Sequence, residues 1–147
     1  MNALRRLVFA VVCLLWAGIL IGISLAETVK FRVPGLSRTV AFDVGRTVFH
    51  VSQTLQLLPL GMALASGTVG RVSRAAWACL GAAAAALLVQ TVWLFPVLDA
   101  RAQALINGGV PVGPSPHAAY AMLEVLKVLA LIAAAVLTLK TASPSEG

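Results

Sequence analysis

Twenty consecutive residues near the start of the chain, Leu7 to Ala26, carry no charged side chain. At about 1.5 Å of rise per residue, a helix of that length covers the ~30 Å hydrocarbon core of a bilayer. Three further apolar runs follow, at residues 48–66, 75–96 and 117–139. Hydrophobic residues make up 60% of the 147 and charged residues only 11%, against roughly 25% charged in ordinary soluble domains. A soluble fold of this size has no interior large enough to hide that much apolar surface. The pattern predicts an all-α chain, an integral membrane antiparallel four-helix bundle forming a single transmembrane domain over residues 1–147. The bilayer is then its first partner.

The breaks between the runs support the count. Glu27 to Thr47 is polar and interrupted by Pro34-Gly35, which predicts a loop over 27–47 with at most a short surface helix. Residues 67–74 form a turn bearing Arg71 and Arg74. Pro59 sits inside the second run, tolerable in a membrane helix when neighbours satisfy the carbonyl it frees. Beyond Pro96, residues 98–106 read as an amphipathic extension at the surface. A Gly/Pro loop over 108–116 ends in Ser115-Pro116, a helix-start signal with serine at the N-cap and proline at the first helical position. After Lys140 comes a polar tail. Ser24-Leu25-Ala26 offers small residues where a signal peptidase would cut, but the apolar core is longer than the roughly 7–15 residues of a signal peptide. Gly18 and Gly22 have the GxxxG spacing of close helix contact, so a retained first helix is the expectation.

A net charge of +6 could suggest nucleic acid, but the basic residues are scattered singly beside apolar runs and form no stripe; no nucleic-acid partner is expected. Four spans put both termini on one side. That side carries Arg5, Arg6, Arg71, Arg74 and Lys140, and the other carries Lys30, Arg32, Arg38, Arg46 and Arg101. The positive-inside rule is therefore balanced. Arg5 and Arg6, immediately before the first span, favour a multi-pass protein of the plasma (inner) membrane with cytoplasmic termini.

An antiparallel bundle brings the end of span one, the start of span two, the end of span three and the start of span four to one face. Glu27 and Lys30, Arg46 and His50, Asp99 and Arg101, and His117, Tyr120 and Glu124 occupy those four ends. Both histidines and four of the five acids are there. His117, Tyr120, Glu124 and Lys127 advance by three, four and three residues and form one polar stripe on their helix. Lys127 falls roughly 15 Å below the helix start, near the bilayer centre, where a charge must face the bundle and find a partner. Glu124 is its nearest counter-charge. Arg46, His50 and Gln53 share a face of span two, with Gln56 at its margin, and Gln90 in span three offers a further amide.

Two readings of the cluster stand side by side. One is structural, with hydrogen bonds fixing the register of the helices. The other is a site for a ligand, proton or cofactor, the default for intramembrane ionisable groups. His50 and His117 open helices at the same face, a placement that would suit bis-histidine haem or a copper site. Cys13 and Cys79 read as small hydrophobes without metal-ligand spacing, and Trp16, Trp77 and Trp93 as packing or interface anchors.

Gly45-Arg46-Thr47-Val48-Phe49, Leu94-Phe95-Pro96-Val97-Leu98-Asp99-Ala100-Arg101, His117-Ala118-Ala119-Tyr120 with Glu124 and Lys127, and the segment Glu27 to Gly35 together give a pattern. It resembles a bacterial family of uncharacterised four-span membrane proteins, similar in layout to a domain of unknown function in small eukaryotic transmembrane proteins and, more distantly, to copper-resistance D-like proteins. The resemblance covers about residues 5–140. It implies four helices and a membrane location, and no catalytic residue can be carried over from it. With only three methionines, the chain lacks the Met-rich pattern of a dedicated copper chaperone.

No nucleophilic triad, phosphate loop or zinc hydrolase motif is present, so the sequence leans away from an enzyme. Three functions fit: a membrane protein that handles a small solute or serves as an accessory, a haem- or copper-binding redox protein using His50 and His117, and a structural subunit that pairs with another membrane protein or a second copy of itself.

Overall fold

The computed structural model describes residues 2–110 and 113–141, apart from the side chains of Asn2 and Phe31. The polar tail beyond Thr141 and the middle of the Gly/Pro loop, Pro111-Val112, lie outside the described residues. Every regular element described is helical: α1 (Asn2–Val29), a 3₁₀ turn (Lys30–Arg32), α2 (Arg38–Leu55), α3 (Leu57–Gly70), α4 (Arg74–Val89), a π-helical turn (Gln90–Leu94), α5 (Phe95–Ile106) and α6 (His117–Lys140). They join into four helical stretches, Ala3–Val29, Arg38–Gly70, Arg74–Ile106 and His117–Lys140, each long and apolar enough to cross a membrane by length and composition.

The expected loop over 27–47 contracts to five residues. Nothing in Glu27-Thr28-Val29 stops a helix: α1 runs to Val29 and passes directly into the 3₁₀ turn Lys30–Arg32, before Pro34 and Gly35, where Gly35 adopts a left-handed φ of 80°. Ser37 then caps α2, its hydroxyl accepting from the Val40 N–H at 3.3 Å. The turn at 67–74 likewise shrinks to Arg71–Ser73, with Arg71 left-handed at φ 49° and Ser73 capping α4 through the Ala76 N–H at 3.2 Å. The extension after Pro96 is α5, continuous with α4 through the π-helical turn. It ends in a Schellman motif: Gly108, at φ 76°, donates to the Leu105 carbonyl and Gly109 to that of Ala104. Ser115-Pro116 starts α6 differently from expectation. Helical geometry begins at His117, and the Ser115 hydroxyl accepts from the His117 N–H at 3.3 Å, so serine and proline stand one residue outside their expected positions.

The core is a row of helices. α6 lies between α1 and α4, and α1 lies between α6 and α3. Phe9, Cys13, Trp16 and Leu20 form one heptad-spaced stripe of α1, all buried. Leu131, Ala134 and Ala135 of α6 and Ala76, Leu80, Ala83 and Leu87 of α4 belong to the same buried cluster. Large side chains on α1 thus meet small ones on its neighbours, which lets backbones approach and maximises dispersion contact. At one end Arg6 ties three helices together. Its Nε donates to the Gly70 carbonyl at 3.3 Å and one Nη to the Thr141 carbonyl at 2.9 Å. The start of α1 and the ends of α3 and α6 are therefore level.

α2 and α5 stand apart from this row and pack on each other at the opposite end. Both follow from proline. Pro59 has no N–H for the Leu55 carbonyl, and the helix is interrupted at Gln56, separating α2 from α3. Pro96 follows the π-helical turn, in which the Phe95 N–H reaches back to the Gln90 carbonyl.

The close contact of α1 with α3 gives a test. A Cβ on Gly70 would lie 3.3 Å from the backbone carbonyl of Arg5, whereas one on Gly61 meets nothing within 4 Å. Gly70→Val should cost about 1–3 kcal/mol, seen as a lower unfolding temperature in detergent. Gly61→Ala should be neutral or slightly stabilising, since alanine is the better helix former by ~1 kcal/mol.

Candidate functional site

The polar residues expected at one end are brought together there in two layers. The outer layer joins α2 to α5. Arg46 donates from Nε to Asp99 Oδ1 at 2.7 Å and from one Nη to Oδ2 at 3.4 Å, a two-pronged pair that holds both planes in register. His50 Nε2 lies 2.9 Å from the same Oδ1, and the His50 ring meets Phe95 edge to face at 4.8 Å between centroids. Glu27 and Lys30 form an ion pair beside Gly45. A Cβ at Gly45 would overlap the Lys30 ammonium and lie 3.0 Å from Glu27 Oε2, so a larger residue there would push the lysine side chain aside.

The inner layer is built around Lys127, whose side chain is completely enclosed. Its ammonium donates to Gln56 Oε1 at 2.6 Å and pairs with Glu124 Oε2 at 3.0 Å. Gln90, also fully buried, donates from Nε2 both to Glu124 Oε2 at 2.9 Å and to the Tyr120 carbonyl at 3.0 Å. Gln53 donates to the Tyr120 hydroxyl at 2.8 Å, and its Oε1 lies 3.1 Å from the Thr91 hydroxyl. Phe49 packs edge to face on Tyr120 at 5.3 Å. One network thus connects α2, the π-helical turn and α6.

Sequence spacing located Lys127, Glu124, Tyr120 and Gln53 inside the bundle. Gln56, at the margin of its face by spacing, is the amide that accepts from Lys127, and it stands at the helix break before Pro59. Thr91 is a member that the spacing does not single out, and Gln90 is more central than its residue type suggests. The signal that could have found Gln90 and Thr91 is Pro96, since prolines commonly induce such local distortions in the turn before them. Arg101 and His117 belong to neither layer but line the cavity described next. Arg101 donates to the Gly113 carbonyl at 2.8 Å, bracing the loop before α6. The two histidines have different settings: His50 is held by Asp99 and Phe95, while His117 lines that cavity. Among the described residues no group of three or more His, Cys, Asp or Glu side chains is placed to hold a metal ion. Cys13 and Cys79 are both free thiols.

Both layers border a cavity of about 750 Å³, within the ~300–1,000 Å³ range of small-molecule sites. Leu20, Ile21, Ser24 and Leu25 of α1 form one wall and Ala121, Val125, Val128 and Leu129 of α6 another. Phe42, Phe49 and Phe95 close the back, and the polar groups of Glu27, Lys30, Arg46, Asp99, Tyr120 and Glu124 are set among them. The back wall is partly buried, whereas Ile21, Leu25, Val125 and Leu129 are exposed, so the cavity opens between α1 and α6. Such a cleft can receive a molecule that has both polar and apolar parts.

Compared with protein-family models, curated proteins and solved structures, the chain matches none.

The buried pair makes an asymmetric prediction. Glu124→Gln leaves the Lys127 ammonium enclosed without its counter-charge and should cost about 3–5 kcal/mol. The double change Glu124→Gln with Lys127→Met removes both charges and should fall within about 1 kcal/mol of the original protein. Equilibrium unfolding in detergent measures both, and additive losses would show that the two charges do not act as a pair.

Proposed function

We propose that this chain is an integral protein of the plasma (inner) membrane, a four-span antiparallel bundle with cytoplasmic termini, and that it binds a small amphiphile in the cleft between α1 and α6. The observation that carries the reading is the cleft itself. Its lips, Ile21 and Leu25 on one side and Val125 and Leu129 on the other, are apolar and exposed, which suits acyl chains and not water. Its interior holds charged and aromatic groups. A ligand that partitions into the bilayer can slide in sideways, leaving its apolar part at the lips and its polar part inside. This is small-solute handling, as binding, sensing or passage, and it requires no bond to be broken.

Membrane insertion also fits the buried network. In hydrocarbon an ammonium near the bilayer centre costs at least ~2.5 kcal/mol even on the mildest scales. Lys127 meets that requirement by facing Gln56 and Glu124.

Two experiments test the proposal. Single cysteines at Ser37, Ser73, Ser115 and Thr141, in a background without Cys13 and Cys79, should label in two groups, with Ser73 and Thr141 on the cytoplasmic side and Ser37 and Ser115 opposite. Labelling of Ser73 and Thr141 from different sides would overturn the four-span arrangement. Native mass spectrometry of protein extracted from its own membrane should find a bound amphiphile, and Ala121→Trp, which fills the cleft from an exposed position on α6, should reduce its occupancy at least tenfold. Unchanged occupancy in that variant would remove the cleft as the binding site.

A further inference from the structure

Resting on the cleft as a binding site, we infer that its ligand carries a positive charge, seated against Glu124 and the surrounding aromatic rings. Of the acids that line the cleft, the two outer ones are paired with cations that line it too. Glu27 pairs with Lys30, and Asp99 accepts from Arg46 on both oxygens, with His50 alongside. Glu124 differs. Both of its partners, Lys127 and Gln90, are wholly buried behind it, and both reach the same oxygen, Oε2. The carboxylate lines the cleft with 15% of its side chain exposed, whereas the Lys127 ammonium is 0% exposed. The ion pair is therefore a fixed dipole with its negative end turned to the cleft. A charge entering the cleft comes nearer to the carboxylate than to the ammonium behind it, so the near end decides the sign of the interaction.

A second feature points the same way. Phe42, Phe49, Phe95 and Tyr120 all line the cleft, four of the six phenylalanine and tyrosine residues in the chain. Aromatic faces attract cations that have shed water, most of all bulky onium ions and alkylated amines. Apolar walls around Glu124, from Leu20 on α1 and Val125 and Val128 on α6, limit screening by water. A lipophilic cation satisfies the carboxylate, the rings and the apolar lips together. An anion of equal size meets the apolar lips and, at the outer end, cations already engaged by Glu27, Asp99 and the Gly113 carbonyl.

Tetraphenylphosphonium and tetraphenylborate provide the test, being nearly identical in shape and opposite in charge. Each is titrated into the protein in nanodiscs, with partition into empty nanodiscs subtracted. The phosphonium should bind at least tenfold more tightly than the borate. Glu124→Gln with Lys127→Met, which removes the dipole without stranding a charge, should bring that ratio close to one, and Ala121→Trp should abolish both interactions. Equal or tighter binding of the borate, still blocked by Ala121→Trp, overturns the charge assignment and leaves the amphiphile cleft standing. A preference that persists in the double variant overturns the role of Glu124. Binding of neither ion, or binding indifferent to Ala121→Trp, overturns both the charge assignment and the cleft.

Discussion

An ammonium group sealed from solvent must have its hydrogen-bond partners built in, and much of this protein's organisation follows from that requirement at Lys127. Its two partners come from different helices or turns of helix: Gln56 stands at the interruption between α2 and α3, and Glu124 lies one turn earlier on α6. Glu124 is in turn held by Gln90, from the π-helical turn. Both irregularities are associated with a nearby proline, and each delivers an amide to one member of the same buried ion pair, Gln56 to Lys127 and Gln90 to Glu124. Were α2–α3 and α4–α5 unbroken cylinders, Gln56 and Gln90 would follow the regular helical face. The distortions and the network are therefore one arrangement. The energetic logic explains why a membrane-type core of alanine, leucine and phenylalanine accommodates so polar a centre, since leaving any single member unmatched costs more than omitting the whole.

The apolar part of the fold was legible because it depends on period and length. The stripe Phe9, Cys13, Trp16 and Leu20 repeats at alternating four- and three-residue steps, and four apolar stretches appear where hydropathy puts them. The polar stripe His117, Tyr120, Glu124 and Lys127 was legible for the same reason. Helix ends were less so. The stretch 27–47 looks like a loop by composition, but a helix is stopped by backbone chemistry and not by polarity: Pro34, Gly35 and the Ser37 cap confine the break to five residues. Arg71 adopts the left-handed conformation usually given to glycine, which no pattern in the sequence announces.

The site was legible by membership but not by pairing. That Asp99 would share a membrane face with Arg46 and His50 follows from an antiparallel layout. That it would hold both follows only from the register of α2 against α5, which each proline break resets. Gly45 was visible only as part of a motif, and its lack of a side chain leaves room for the Lys30 ammonium beside Glu27. Sequence periodicity assigns residues to faces of ideal helices, and the partners of Lys127 sit where the helices cease to be ideal.

The four helical stretches are of unequal length, and the inequality falls at one end. Arg6 levels the start of α1 with the ends of α3 and α6, so differences accumulate opposite. The second and third stretches have 33 residues each and the fourth has 24, a difference of nine, or about 14 Å of helix. By length, the far tips of α2 and α5 extend beyond the start of α6. The two ends of the protein therefore differ: one is level and tied by Arg6, and the other is uneven, with the Arg46–Asp99 pair set between its two longer members.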